Sequence, residues 1–341
     1  MGMSCKTGAK RPFATLPEAG YHDKAASRWG GRDSKERAMA DDENDSALFA
    51  AAREPPPRAL SQVSPMVRRL VAPNPSPFTF NGTCTYIVGQ GRVAVVDPGP
   101  DDDSHLAALL AAVDGEQIET ILITHTHRDH SVGANKLRAA TGARVVGAAP
   151  FTPRGDGSTG LDSAHDRDYS PDVILGDGER WQGAGYTMEA VATPGHCSNH
   201  LCFALLEENA LFSGDHVMSW STSIVAPPDG SMHAYMDSLD KLRGRRETIY
   251  WPGHGGPVVE PQRYVRALIH HRRQREVSIL NTLADGPQTI PALVARIYVG
   301  LNPALTRAAG LSTLAHLEDL SERGMVVGEA PAGGEQHFRL P

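Results

Sequence analysis

The stretch that decides the reading is Thr124-His125-Thr126-His127-Arg128-Asp129-His130. Three histidines and one carboxylate crowd together just past an apolar run at 120–124 that reads as a buried strand. Imidazole and carboxylate are the ligands that suit zinc and similar divalent ions. The C-terminal edge of a strand is also where α/β sheets carry their sites. A chance cluster of surface histidines would stand alone, whereas further candidate ligands recur here at strand ends. They are His196 in Thr193-Pro194-Gly195-His196, Asp215 in Ser213-Gly214-Asp215-His216, and His254 in Trp251-Pro252-Gly253-His254-Gly255. Each sits beside a glycine, and a residue without Cβ lets backbone approach an ion closely.

Working outward, short β-branched runs at 67–71, 83–88 and 92–96 precede this stretch, the last entering the turn Asp97-Pro98-Gly99-Pro100. A helical pattern at 105–113 leads to the strand at 120–124, and the alternation repeats at 135–141 and 144–148. Such alternation predicts a layered domain of sheet and helix. The segment 151–170, rich in Gly, Asp and Ser, reads as a surface excursion. Strands follow at 180–181, 186–192, 201–206 and 210–213, then a helix at 232–243 and a strand at 248–251. After Pro261 the texture changes to a long helix at 264–283 containing His270-His271-Arg272-Arg273-Gln274-Arg275. Helices at 290–298 and 303–322 follow, the latter with Leu311, Leu314, Leu317 and Leu320 read as one narrow seam. Together with strands at 325–327 and 337–340, they predict a winged helix-turn-helix module.

The set HxHxDH, TPGH, SGD and PGHG, in this order, resembles the metallo-β-lactamase superfamily over roughly residues 63–261. The resemblance implies an α+β fold: an αββα sandwich with a small C-terminal winged-helix domain. The polar, Pro-rich segment 1–57 reads as a disordered leader or linker, and the resemblance divides the rest into a metallo-β-lactamase domain at 58–262 and a winged-helix-like domain at 263–341. By the same resemblance, His125, His127 and His196 hold one metal ion, Asp129, His130 and His254 a second, and Asp215 bridges both. Two divalent ions are implied, zinc foremost, with iron or manganese also compatible with such a ligand set. A hydroxide between them is the implied nucleophile, with Asp129 as the catalytic residue that orients it. Asp97 matches an aspartate that fixes the ligand loop. His200 is expected to be structural, and His216 either a buried hydrogen-bonded ring or a donor to ligand or substrate. Ordinary surface or packing roles are expected for His165, His233, His270, His271, His316 and His337.

An aspartate at 215, where common zinc β-lactamases have cysteine, resembles the branch with glyoxalase II, lactonases and nucleases. Within it, Tyr235-Met236-Asp237-Ser238-Leu239 and the segment from Tyr264 onward resemble the beta-lactamase-like protein 2 family. That family includes an endoribonuclease acting on single-stranded RNA. The expected activity is therefore metal-dependent hydrolysis, of single-stranded RNA or of a small thioester, lactone or β-lactam. A nucleic-acid-binding regulator is the reading from another class. Its helix at 303–322 sets Arg307 against Glu318, Asp319 and Glu322, a poor phosphate-binding face. The Arg272-Arg273-Arg275 cluster is the better candidate contact.

Bulk properties are those expected of an ordinary soluble globular protein. Of 341 residues, 40% are hydrophobic and 21% charged, and the formal net charge of −7 supplies no global basic field for nucleic acid. No apolar run approaches the roughly 18 residues of a spanning helix, so no membrane partner is expected. The four cysteines, Cys5, Cys84, Cys197 and Cys202, form no CxxC pair. That pattern suits a reducing cytoplasm. Cys197, next to His196, is expected to be a packed neutral thiol. The segment before Met39 reads as a disordered leader or an over-called start, and a homodimer through the C-terminal module is a further expectation.

Overall fold

A computed structural model describes residues 58–153, 164–330 and 335–341. The expected leader with Cys5, and positions 154–163 of the excursion, lie outside the described residues.

The first sheet runs in chain order: β1 (Ser61–Gln62), β2 (Val67–Val71), β3 (Cys84–Gln90), β4 (Arg92–Val96), β5 (Gln117–Ile123), β6 (Arg144–Gly147) and β7 (Val173–Ile174). Its first four strands pair antiparallel, and β4 to β7 pair parallel. Parallel neighbours need crossovers. Helix α1 (Asp103–Ala112) supplies one, and the short α2 (Arg128–Ser131) with α3 (Gly133–Thr141) supplies the next. The second sheet contains β8 (Arg180–Gln182), β9 (Thr187–Ala192), β10 (Leu201–Leu205), β11 (Ala210–Gly214) and β12 (Ile249–Pro252), in the order β12-β11-β10-β9-β8. Helix α4 (Met232–Arg243) crosses between the parallel strands β11 and β12.

Strand alternation builds the layers. In β3, Cys84, Tyr86 and Val88 point between the sheets, where they meet Phe203, Phe212 and Trp251. Ile87 points the other way, into a core with Leu109 of α1 and Leu137 of α3. The outer face of the second sheet, Cys202, Ala204 and Leu211, is covered by Tyr235 and Leu239 of α4. The expected αββα sandwich is therefore observed.

The remaining residues form α5 (Pro261–Ala284), β13 (Gln288–Thr289), α6 (Ile290–Ile297), α7 (Thr306–Glu322), β14 (Val327–Glu329) and β15 (His337–Arg339), with strand order β13-β15-β14. Helix α5 serves two cores. Tyr264, Val265 and Leu268 belong to the outer core of the second sheet, while Ile279 and Leu283 pack with Leu293, Leu317, Leu320 and Phe338.

Two sequence expectations are corrected. The run around Arg272 is not a basic surface patch. Arg272 is buried, donates to the Ser223 carbonyl and lies over the Tyr235 ring, and Arg275 donates to the Ile297 carbonyl and covers Tyr298. A guanidinium on a long stem can cap carbonyls and aromatic faces from inside a helix bundle, so a charged run need not face water. The four leucines of α7 do not form one seam either. Each three-residue step turns about 300° at 3.6 residues per turn, so Leu311 and Leu320 end on opposite faces. Leu317 and Leu320 fill the winged-helix core, whereas Leu311 faces a cavity of the lactamase-like domain. Among the described residues, no helix is long and apolar enough to cross a membrane.

Candidate metal centre

The strand directions bring the candidate ligands to one edge. His125 and His127 lie in the loop after β5, and α2 carries Asp129 and His130. Because β9 and β11 are both antiparallel to β10, and β12 is parallel to β11, the ends of β9, β11 and β12 emerge together. They deliver His196, Asp215 and His254 to the same place. Backbone bonds stitch the sheets there: Leu201 N–H donates to Thr124 O (2.8 Å), Gly253 N–H to Gly214 O (2.8 Å) and Cys84 N–H to Gly253 O (2.7 Å).

Two groups result. His125, His127, His196 and Asp215 bring ligand atoms within 4.8 Å of one another, and Asp129, His130 and His254 do the same. Asp215 faces both. Its Oδ1 lies 3.4 Å from His130 Nε2 and 3.5 Å from His254 Nε2, and its Oδ2 lies 3.8 Å from His196 Nε2. All seven expected residues are brought together.

Protein acceptors hold the outward nitrogens of the rings. His196 Nδ1–H donates to Ile224 O at 2.5 Å, His254 Nδ1–H to Gly82 O at 3.2 Å, and His130 Nδ1–H to Asp97 Oδ2 at 3.0 Å. His125 Nδ1–H donates to Thr124 Oγ1 (3.0 Å), whose hydroxyl donates to Asp97 Oδ2 (2.7 Å). Asp97 Oδ1 accepts the Thr124 N–H at 2.9 Å. One buried carboxylate thus fixes the loop and two rings, as expected for Asp97.

The donor set fits a cation. His125 Nε2 and His196 Nε2 each lie 3.0 Å from His127 Nδ1. Burial, reinforced by neighbouring imidazoles, holds His125 and His127 well below the ordinary histidine range, and burial also lowers His196 despite the Asp215 carboxylate. Neutral rings whose outward nitrogens carry the proton present converging lone pairs, an arrangement that an ion relieves. In the second group burial disfavours charge, but Asp129 and Asp215 outweigh it, holding His130 well above its usual range. Asp215 and Asp129 likewise push His254 up to about 9. Burial would raise the Asp215 carboxyl, but His254 and His130 keep it well below the usual carboxylate range. Protons therefore occupy the second group until an ion displaces them.

Other expectations resolve at this edge. His200 is structural: burial keeps it neutral, its Nδ1–H donates to Thr193 Oγ1 (2.8 Å), and its Nε2 accepts the Asp215 N–H (3.1 Å). His216 is fully buried against Tyr235, with its pKa lowered to about 3, chiefly by burial. It is a packed ring, and neither nitrogen has a hydrogen-bond partner among the described residues. Cys197 is buried, and burial pushes its thiol well above the usual range. The glycines beside the ligands make room for protein rather than for an ion alone. A Cβ on Gly195 (φ +139) would lie 2.3 Å from the Tyr235 Cα, and one on Gly253 would lie 2.6 Å from both Asp215 Oδ1 and His130 Cε1.

A cavity of about 560 Å³ opens above the ligands. Its wall includes Phe78, Ala164, Met218, Ile224, Ala226, Pro228 and Leu311, and among the described residues Arg128 and Arg307 are its only lysine or arginine side chains. Sequence reasoning missed His165, which also lines it. That ring is buried, pairs with Thr126 Oγ1 (3.0 Å) and Asp229 Oδ2 (3.4 Å), stacks on Phe151 and lies beside the His127 ring. The expected surface excursion thus turns inward at this point. No local motif announced it, because its partners come from remote segments.

A family model described as "Metallo-beta-lactamase superfamily" matches residues 78–254. The chain belongs to the metallo-β-lactamase superfamily. A model described as "Beta-lactamase associated winged helix domain" matches residues 289–333 of the same metallo-β-lactamase chain. A beta-lactamase-like protein 2 homolog from Caenorhabditis elegans is 30% identical over 259 residues, 75% of this chain and 83% of that protein. An atrochrysone carboxyl ACP thioesterase from Aspergillus fumigatus is 34% identical over 226 residues, 65% of this chain and 66% of that protein. Among solved structures, a metallo-β-lactamase family protein from Thermus thermophilus superimposes with a TM-score of 0.68 at 25% identity, covering 82% of this chain and 100% of that one. Members of this superfamily are hydrolases, and the fold generally binds two metal ions.

Proposed function

We propose that this metallo-β-lactamase-fold hydrolase cleaves acyl thioesters at a centre of two zinc ions. The observation that carries the reading is the cavity: about 560 Å³, open onto His127, Asp129, His196, Asp215 and His254 and bearing an apolar wall of Phe78, Met218, Ile224, Ala226, Pro228 and Leu311. That volume suits a small-molecule acyl group. A single strand of RNA needs stacking platforms along a cationic groove, whereas Arg128 and Arg307 are the only lysine or arginine residues along this wall among the described residues. The 34% identity to a protein named as an ACP thioesterase supports the same choice.

His125, His127 and His196 would hold one ion, Asp129, His130 and His254 the other, with Asp215 between them. When bound, the ions supply a water of lowered pKa and positive charge for the carbonyl oxygen. The chain's own residues do the rest. The Asp129 carboxylate is anchored at Oδ2 by Thr83 Oγ1 and His254 Nε2, both 3.3 Å away, and its side chain remains partly open to the cavity. Burial opposes its ionisation, but His130 and His254 outweigh that and keep it ionised. So weak a base suits accepting a hydrogen bond from the attacking water, which it orients toward the acyl carbon. The apolar wall holds the acyl group and limits competing water. The C–O bond forms, the C–S bond breaks, and the products are a carboxylate and a thiol.

The test loads the protein with zinc and follows thiol release from acyl thioesters, with and without chelator. Chelator-sensitive release is expected. No release from any thioester, alongside cleavage of a labelled single-stranded oligonucleotide or of a β-lactam, would overturn the assignment.

A further inference from the structure

The winged helix contributes to this cavity. Arg307, in the first turn of α7, lines it together with Ala308 and Leu311. The helix is not a loose flap. Ala315 is buried in the outer core of the second sheet with Tyr264 and Leu268, and Asp319 lies 3.6 Å from His233 of α4. Positions 307, 311, 315 and 319 are successive i+4 neighbours, so one face of the helix runs along the lactamase domain and ends at the cavity. The opposite face carries Leu317 and Leu320 into the winged-helix core.

Arg307 is exposed, and it pairs with no carboxylate among the described residues; the same holds for Arg128 on the cavity wall. Elsewhere in the C-terminal module Arg296 pairs with Asp285, Arg323 with Glu276 and Asp319, and Arg339 with Glu329, while the exposed Arg266 and Arg273 of α5 are, like Arg307, without a carboxylate partner among the described residues but do not line the cavity. In a chain of net charge −7, Arg128 and Arg307 are the only lysine or arginine side chains among the described residues of a wall that also holds Asp129, Asp215 and Asp229, and neither is committed to those carboxylates, which leaves both guanidiniums available to an anion from outside.

Resting on the thioester reading, we infer that Arg307, with Arg128, grips a phosphate on the leaving-thiol arm of the substrate. The acyl group occupies the apolar wall, the thioester carbonyl meets the metal centre, and the thiol arm leaves along the side bearing Arg307. The substrate class is then an acyl thioester of a phosphate-bearing thiol, either a free nucleotide thiol or the same arm on a carrier protein. Arg307 is a specificity-determining residue, and its domain serves the active site from the side rather than reading nucleic acid with α7. The exposed Glu318 and Glu322 on that helix fit this division of labour.

The experiment compares one acyl group on three thiols, coenzyme A, an acyl carrier protein and N-acetylcysteamine, which has no phosphate. It uses zinc-loaded wild type, Arg307→Ala and Arg307→Lys. The readout is the ratio of kcat/KM for each phosphate-bearing ester to that for the N-acetylcysteamine ester. One charge-assisted contact predicts that Arg307→Ala lowers this ratio about 10- to 100-fold, with partial recovery in Arg307→Lys. The ratio should also fall with added salt, because an exposed guanidinium is screened. The larger of the two phosphate-bearing ratios tells the free thiol from the carrier-bound one. A wild-type ratio near one, or equal losses on all esters, would overturn the inference.

Calorimetric binding of coenzyme A against pantetheine, which lacks phosphate, separates this from failure of the thioester reading. Arg307-dependent preference for coenzyme A without turnover of any thioester would refute the hydrolysis and uphold the phosphate grip. Thioester turnover without that preference would do the reverse. Oligonucleotide cleavage faster than thioester hydrolysis would refute the substrate class assigned here.

Discussion

Asp97→Asn tests how the metal centre is held, because it changes one atom in a buried site. Asp97 adopts φ +49°, a conformation asparagine tolerates nearly as well as aspartate, so the substitution adds little backbone strain. Its carboxylate accepts three hydrogen bonds, from Thr124 N–H, Thr124 Oγ1–H and His130 Nδ1–H. An asparagine can accept through one oxygen only. If that oxygen keeps the Thr124 N–H, its NH2 group faces His130 Nδ1 and the Thr124 hydroxyl. The His130 proton must then move to Nε2, the nitrogen turned toward Asp129, Asp215 and His254. A protonated Nε2 is not a metal ligand. If the amide flips instead, the Thr124 N–H loses its acceptor and the ligand loop is loosened.

Either way the loss is that of an outer carboxylate, which costs about 10- to 100-fold in metal affinity, or about 1.4 to 2.7 kcal/mol. Metal content after dialysis against a buffered zinc series measures it, with circular dichroism melting of the metal-free protein as a folding control. The second ion should be lost first. Wild-type affinity for both ions in a folded Asp97→Asn protein would refute the reasoning.

Gly253→Ala should lower metal affinity at least tenfold, since its Cβ would stand 2.6 Å from Asp215 Oδ1 and His130 Cε1; full metal occupancy would contradict this. Arg272→Ala should destabilise the fold by about 2–4 kcal/mol, from a buried carbonyl left unpaired and a lost cation–π contact. Denaturant melts check it, and an unchanged midpoint would show that the buried guanidinium contributes nothing net. In the metal-free protein, His254 is raised from 6.5 to about 9, so its ion pairing stabilises fully below about pH 6.5 and is lost as pH rises through about 9. The melting temperature of that form should fall across this window, while zinc affinity rises because the ion displaces the proton. Zinc affinity independent of pH between 6.5 and 9 would refute it.

Much of the site was legible because its chemistry is local. His125, His127, Asp129 and His130 share one turn after a strand, and the short TPGH, SGD and PGHG segments each place a ligand at a strand end. Strand alternation and helical periodicity were enough to imply the layers, since each follows from the backbone repeat itself. Other features existed only after folding. Sequence spacing cannot report that β9, β11 and β12 emerge at one edge, because strand order is set by packing between distant segments. His165 became a wall of the cavity only through Thr126, Asp229 and Phe151. Arg272 changed from a surface charge to a buried brace for the same reason. Leu311 and Arg307 became cavity residues because two domains compete for the faces of α7, and three-residue spacing cannot show which face each domain wins. Ligand chemistry travels with the residue and its near neighbours; the shape of the cavity above it is a property of contacts between remote parts of the chain.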